Sequence, residues 1–313
     1  FSHSMGTASS CPAMPAGNGP LQLTGRVTGP IDDPRFTYSA RSPGVIVPGI
    51  RMPASTAEGY ISRAGIFVER LRTSIGKGWV EATGRLPLGL DDPNSRFSLK
   101  WNNVAIAGLA QVFPLLPAGP IGMVATGSAR LHWPGLALEF ATVAGDVTSE
   151  LRFAPALQAA RARMDGTAGS WTIRGEQELE GGTRATLQAA ITVSAADVAQ
   201  SQLLGTLNVS SANLQPALAE ARRAFPDLPD VSGWLLDAPL TMDGTLDGTI
   251  SAPRLSGAAS SGRLRLSGLP AFNATATFDA DAARLTVSKV AGDDGTGNRV
   301  EGSAAIAFDA EMT

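Results

Sequence analysis

Apolar residues at every second position, in segments that recur along 313 residues, constrain this chain more than any other feature. Leu21, Leu23, Gly25 and Val27 alternate with Gln22, Thr24 and Arg26. Val80, Ala82, Gly84, Leu86 and Leu88 alternate mainly with Glu81, Thr83 and Arg85. The same rhythm runs through Met123 to Trp133, through Leu240, Met242, Gly244 and Leu246, and through Phe272, Ala274, Ala276 and Phe278. A period of two puts alternate residues on opposite faces of a strand. One face is then apolar and the other wet, as in antiparallel sheet, whereas parallel α/β strands are apolar on both sides.

These segments are copies of one another. Leu21-Gln-Leu-Thr-Gly25-Arg-Val27, Met123-Val-Ala-Thr-Gly127-Ser-Ala129 and Leu240-Thr-Met-Asp-Gly244-Thr-Leu246 share a glycine, spaced 102 and 117 positions apart. A second pattern recurs as Val80 to Leu88, as Ala185-Thr-Leu187-Gln-Ala-Ala-Ile191-Thr-Val193 and as Val300 to Phe308. A third precedes the next unit, as Leu99 to Val104 before Phe113-Pro114 and as Leu207 to Leu214 before Phe225-Pro226. The units are approximately 20–112, 113–225 and 226–313, within a repetitive fragment 7–313; residues 1–6 read as vector or tag.

Composition narrows the options further. Glycine (35) and proline (21) both interrupt helices, so many short strands joined by turns are expected. Helix is expected only over Leu214 to Phe225, behind an Asn213 cap, and more weakly over Pro155 to Met164. The 25 Lys and Arg fall short of 28 Asp and Glu, which speaks against nucleic acid as a partner. The only cysteine is Cys11, so there is no internal disulfide. No stretch approaches the ~18 consecutive apolar residues of a membrane span.

An apolar sheet face needs a second sheet, a helix layer or closure to cover it, and long helices are missing. The expected fold is all-β with few short helices: an elongated, curled antiparallel trough, solenoid-like, with an apolar inner face. Gly25, Gly84, Gly127, Gly244 and Gly302 fall at inward parity. Glycine there permits curvature and leaves room above the sheet, or else marks bends under a filled core.

Strings such as Leu23-Thr-Gly-Arg-Val-Thr-Gly-Pro-Ile-Asp-Asp-Pro-Arg-Phe36 and Gly244-Thr-Leu-Asp-Gly-Thr-Ile-Ser-Ala-Pro-Arg-Leu-Ser-Gly257 resemble the repeats of the AsmA-like family that includes TamB, the translocation and assembly module subunit. Gly78-Trp-Val-Glu-Ala-Thr-Gly-Arg-Leu-Pro-Leu88 is similar to it too; the middle copy departs, with Gly135-Leu136 in place of the Asp-Pro step. The resemblance implies a periplasmic part of an inner-membrane-anchored envelope protein. It implies a hydrophobic groove that carries phospholipid acyl chains between the inner and outer membranes. The alternative it implies is a scaffold for assembly of outer-membrane β-barrels or autotransporters, with an outer-membrane barrel partner of the TamA type.

The expected groove lining is Leu21, Leu23, Val27, Val80, Leu86, Leu88, Phe97, Leu99, Met123, Leu131, Leu187, Ile191, Val193, Leu240, Met242, Leu246, Phe272 and Phe278. No enzyme, cofactor or metal site is expected. His132 alternates with Leu131 and Trp133 and should face solvent, without the partners that catalysis or metal binding requires. Asp32-Asp33-Pro34 and Asp91-Asp92-Pro93 read as turns. Gly292-Asp-Asp-Gly-Thr-Gly-Asn298 reads as a hairpin loop rather than a calcium turn. Trp79, Trp101, Trp133, Trp171 and Trp234 are core or strand-end anchors, or face the lipid.

Overall fold

The computed structural model describes residues 21–47, 50–88, 93–106, 123–152, 159–224, 234–235, 239–266, 271–281 and 283–307. Residues 1–6, Asp91-Asp92, Phe113-Pro114 and Phe225-Pro226 lie outside them.

The alternating segments fold as strands. They are β1 (Gln22–Thr28), β2 (Arg35–Ser42), β3 (Val45–Val47), β4 (Ile50–Met52), β5 (Ser55–Ser62), β6 (Gly65–Ile75), β7 (Gly78–Pro87), β8 (Asn94–Ala105), β9 (Val124–Pro134) and β10 (Ala144–Arg152). They continue as β11 (Ala160–Thr167), β12 (Ser170–Leu179), β13 (Thr183–Thr192), β14 (Gln202–Ser211), β15 (Trp234–Leu235), β16 (Leu240–Gly248), β17 (Pro253–Leu266), β18 (Phe272–Ala280), β19 (Arg284–Asp293) and β20 (Arg299–Ala307). Ala160 to Met164 is thus strand, against the helix expected over Pro155 to Met164. Ala160, Ala162 and Met164 have the strand period, and pairing with both neighbours overrides the local helix preference.

Hydrogen bonding joins eighteen strands in one antiparallel sheet. Each strand pairs with its nearest strand neighbours along the chain, in the order β1, β2, β5 to β14, then β16 to β20. The hairpin β3–β4 stands apart, and β15 pairs with the far end of β17. The meander does not close, because β1 and β20 have no partner beyond β2 and β19 among the described residues. Seventeen strands at about 4.8 Å make a sheet roughly 80 Å across. Register shifts between Val68 and Leu71, Trp101 and Val104, and Val287 and Val290 add local twist, which helps the sheet curl.

The repeats map onto this ladder with a fixed step. The Gly25, Gly127 and Gly244 segments form its first, seventh and thirteenth strands. The Val80, Ala185 and Val300 segments form the fifth, eleventh and seventeenth, and the Leu99 and Leu207 segments the sixth and twelfth. One unit is therefore six strands. Six is even, so successive units run in the same direction and present the same face.

Helix α1 (Leu214–Ala224) follows β14. Its start is set by Asn213, whose Oδ1 accepts the Gln215 N–H at 3.1 Å. Arg222 and Arg223 occupy the last turn, where cations suit the helix dipole. The helix buries Ala217 and Glu220, and Leu218 is half-buried. Glu220, 1% exposed, accepts the Glu180 N–H at 2.7 Å, while Arg223 pairs with the Glu180 carboxylate at 2.9 Å. These bonds fasten α1 to the turn between β12 and β13. Glu220→Ala strips that part-buried N–H of its acceptor, which costs about 1 kcal/mol. Hydrogen exchange should show α1 losing protection while the β7–β8 pair keeps its own; unchanged α1 protection would refute the anchoring role.

Candidate functional site: the apolar face of the sheet

Cross-strand partners share a face, so the register decides which side chains line up. Starting from Val80, Ala82 and Gly84 on β7, the partners on β8 are Trp101, Leu99 and Phe97. Phe97 and Leu99 lead to Leu131 and Ala129 on β9, and these to Gly145 and Val147 on β10. Met164, Ile173, Ala189 and Gly205 continue the series on β11 to β14. Leu246, Leu255, Ala280 and Leu285 carry it to β19, and Ala304, the partner of Val287, to β20. In the other direction, Gly84 leads through Val68 and Gly59 to Tyr38 and Gly25 on β1.

All eighteen residues expected to line a groove have the parity of this one face. Leu23, Val27, Val80, Leu86, Phe97, Leu99, Leu131, Leu187, Ile191, Leu240, Met242, Leu246, Phe272 and Phe278 are placed there by pairing. Leu21, Leu88, Met123 and Val193 adjoin strand ends at the same parity. The bond from Ile106 N–H to the Met123 carbonyl (2.9 Å) and that from Val193 N–H to the Gly169 carbonyl (2.9 Å) extend the pairing there. Residues not singled out from the sequence complete the row, notably Ile66, Val147, Met164, Ile173, Leu203, Leu207 and Leu255. The alternation was present at those positions, but only tracing the register links them into one surface.

Among the described residues, the buried Ile75, Ala82, Val104, Ala125, Ala129, Trp133, Ala189 and Phe272 belong to this face. A small cluster packs Val80 and Trp101 against Ile75 and Val104. Phe97 stacks on Trp133 at 5.5 Å between ring centroids. Elsewhere the face is half-covered: Phe97, Leu99, Leu131, Leu187, Ile191, Leu240, Met242, Leu246 and Phe278 are all of intermediate exposure. Towards the β1 edge Leu21, Leu23 and Val27 are 62%, 56% and 66% exposed, and Leu88 is also open.

The glycines differ from the expectation of free space. A Cβ on Gly84 would lie 2.7 Å from the Phe97 ring, and one on Gly127 2.7 Å from that of Trp101. The Phe36 ring occupies the place above Gly25, and Leu255 reaches within 2.9 Å of a Cβ on Gly244. Neighbouring side chains crowd these four positions, and of the five only Gly302 has open space above it. Aromatic cover of a glycine replaces contacts that the missing side chain cannot make.

Four of the five tryptophans have described side chains. Trp101, Trp133 and Trp171 sit on the apolar face, with Trp133 buried. Trp79 is on the polar face under the Arg72 guanidinium, 4.9 Å from its ring. The side chain of Trp234 lies outside the description.

The opposite face is charged. Arg130 and Asp146, direct partners on β9 and β10, pair at 3.0 Å. Arg163–Asp165, Arg152–Glu150 and Arg184–Glu176 follow at 3.0, 2.9 and 3.3 Å. His132 is exposed here, opposite Arg96 and Ala144. Hollows of about 530 and about 910 Å³ open on this polar face, the first over β9 to β13 and the second over β6 to β10. No group of three or more His, Cys, Asp or Glu fit to hold a metal ion occurs among the described residues. No helix among them is long and apolar enough to cross a membrane.

The turn readings fall into place around the faces. Asp33 donates its N–H to the Pro30 carbonyl in the β1–β2 turn. Asp294, between β19 and β20, accepts from the Thr296 N–H at 2.8 Å, the Asn298 N–H at 3.1 Å and the Asn298 side chain at 2.6 Å. These donors hold its carboxyl down to about 2.

No family model matches the chain, and no curated protein or solved structure matches it.

Two expectations follow. Gly257, on the apolar face of β17, would bring a Cβ within 2.8 Å of the Phe278 ring and 2.7 Å of Gly244 Cα. The nearest neighbour of that Cβ is the backbone carbonyl oxygen of Asp243, which cannot swing aside as a ring can, so Gly257→Val should cost at least roughly 1–3 kcal/mol by overpacking; a urea midpoint equal to that of the parent would refute this close approach. The Asp294 carboxyl, depressed in the fold, contributes stability above the unfolded value of about 4, and this is lost as pH falls towards 2. Carboxyl NMR titration should show Asn298→Ala raising the Asp294 pKa towards the ordinary range; no change would remove Asn298 as the cause.

Proposed function

We propose that the chain binds lipid, with acyl chains lying along the apolar face of the curled sheet and headgroups left in water. The observation that carries this reading is a row of apolar residues of one parity running through the ladder, half-covered by its own side chains over the middle strands and open towards both edges. An ordinary sandwich would bury such a face under a second sheet. Acyl methylenes supply the missing cover at roughly 0.8 kcal/mol each, about 10 kcal/mol for a sixteen-carbon chain. Leaving the headgroup at the rim avoids a desolvation cost of several kcal/mol. The six-strand repeat makes successive stretches of the face alike, so a bound chain can slide without one deep minimum. The resemblance of the repeats to AsmA-like and TamB sequences supports the same reading. On that resemblance the proposal includes a periplasmic location and a part in phospholipid transport between the inner and outer membranes.

A second reading has its own support. The edge strand β1 is exposed along its whole length, and among the described residues its outer side pairs with no other strand. Such an edge can accept another strand by β-augmentation, as a scaffold for barrel assembly would.

Lipid extraction of the purified chain followed by mass spectrometry tests the first reading, with Leu131→Glu and Leu187→Glu as variants. Phospholipid should accompany the parent and fall severalfold in the variants, since burying a carboxylate beside acyl chains costs several kcal/mol. Absence of lipid from the parent, together with no uptake of a fluorescent fatty acid, would defeat it.

A further inference from the structure

We infer that the polar face carries an oxyanion site of the phosphate type, formed by Arg161, Arg163 and Arg174 in the hollow of about 530 Å³ over β9 to β13. It lies on the face opposite the proposed lipid seat and does not rest on that reading.

Register assembles the site. Arg163 on β11 stands directly opposite Arg174 on β12, and Arg161 is the next residue of β11 on the same face. Like charges directly opposite destabilise a strand pair. Here three guanidinium groups gather; Glu150 and Glu176, the cross-strand partners of Arg161, line the same hollow, but the acids of the cluster are held elsewhere. Glu150 holds Arg152 at 2.9 Å, Asp165 holds Arg163 at 3.0 Å, and Glu176 holds Arg184 at 3.3 Å. Arg161 and Arg174 have no ion pair or hydrogen-bond partner among the described residues and are exposed. Thr148 and Gln188 add neutral donors to the hollow.

The chemistry of the donors selects the ligand class. A guanidinium fork offers parallel N–H groups that match two oxygens of a carboxylate or phosphate. Two uncommitted forks beside a third cation exceed what one two-oxygen carboxylate can use. A tetrahedral phosphate, with three or four oxygens and up to two negative charges, satisfies both forks at once and relieves the Arg163–Arg174 repulsion. The hollow spans five strands, about 20 Å, so a substituent on the phosphate is accommodated.

The test titrates the full chain with inorganic phosphate at constant ionic strength, with chloride as reference, following arginine side-chain N–H signals by NMR. Phosphate should shift Arg161 and Arg174 saturably. The double variant Arg161→Gln/Arg174→Gln, checked for an unchanged circular dichroism spectrum, should bind roughly tenfold or more weakly. Arg26→Gln, on β1, should bind as the parent does. Equal responses to phosphate and chloride, or parental affinity in the double variant, would overturn the site. Co-sedimentation with phosphatidylcholine vesicles containing phosphatidic acid identifies the source. Association that needs both arginines and is competed by phosphate assigns a lipid headgroup. Phosphate binding without vesicle association assigns a soluble phosphate compound. Either result supports the site.

Discussion

The antiparallel register is the constraint on which everything else in this molecule depends. Because side chains alternate with a period of two, slipping one strand by a single residue would turn all its leucines to the charged side and all its arginines to the apolar one. Pairing of Val80 with Trp101, Phe97 with Leu131 and Ile191 with Leu203 therefore protects a whole surface, strand after strand. Charge pairs on the other face enforce the same alignment, as Arg130 with Asp146 does. Such exposed pairs add little stability each, and their value lies in penalising the wrong register.

A single sheet of this kind cannot gain stability as a two-layer domain does. Its buried apolar residues are few and often small, such as Ala82, Ala125, Ala129 and Ala189. Rings lying across glycines, Phe97 over Gly84 and Trp101 over Gly127, recover part of the missing contact within the layer. A surface of this kind suits long, flexible hydrocarbon better than a compact ligand, which needs a pocket with converging polar groups.

Helix α1 is a different element. The sequence stripe of Leu214, Leu218, Ala221 and Phe225 suggests an apolar contact, and of its side chains only that of Leu218 is described, half-buried beside the buried Ala217 and Glu220. Glu220 is retained inside because the Glu180 N–H, at the turn between β12 and β13, needs an acceptor there. A backbone demand created by a residue forty positions away is invisible to any periodicity in the helix itself.

Alternation and repetition alone determined that this chain is built of antiparallel strands with one apolar side, because the period of two is a property of each strand by itself. They also put the groove candidates from Leu21 to Phe278 at one parity, which the strand pairing keeps on one side of the sheet, and marked the Asn213 cap by local chemistry. Only the tertiary structure decided that six strands make one repeat, since strand number depends on where turns fall and which segments pair. It alone showed that rings occupy the space above most of those glycines, and that Arg163 meets Arg174 across a strand pair. Those facts depend on the relative position of neighbouring strands, a quantity that no single segment encodes.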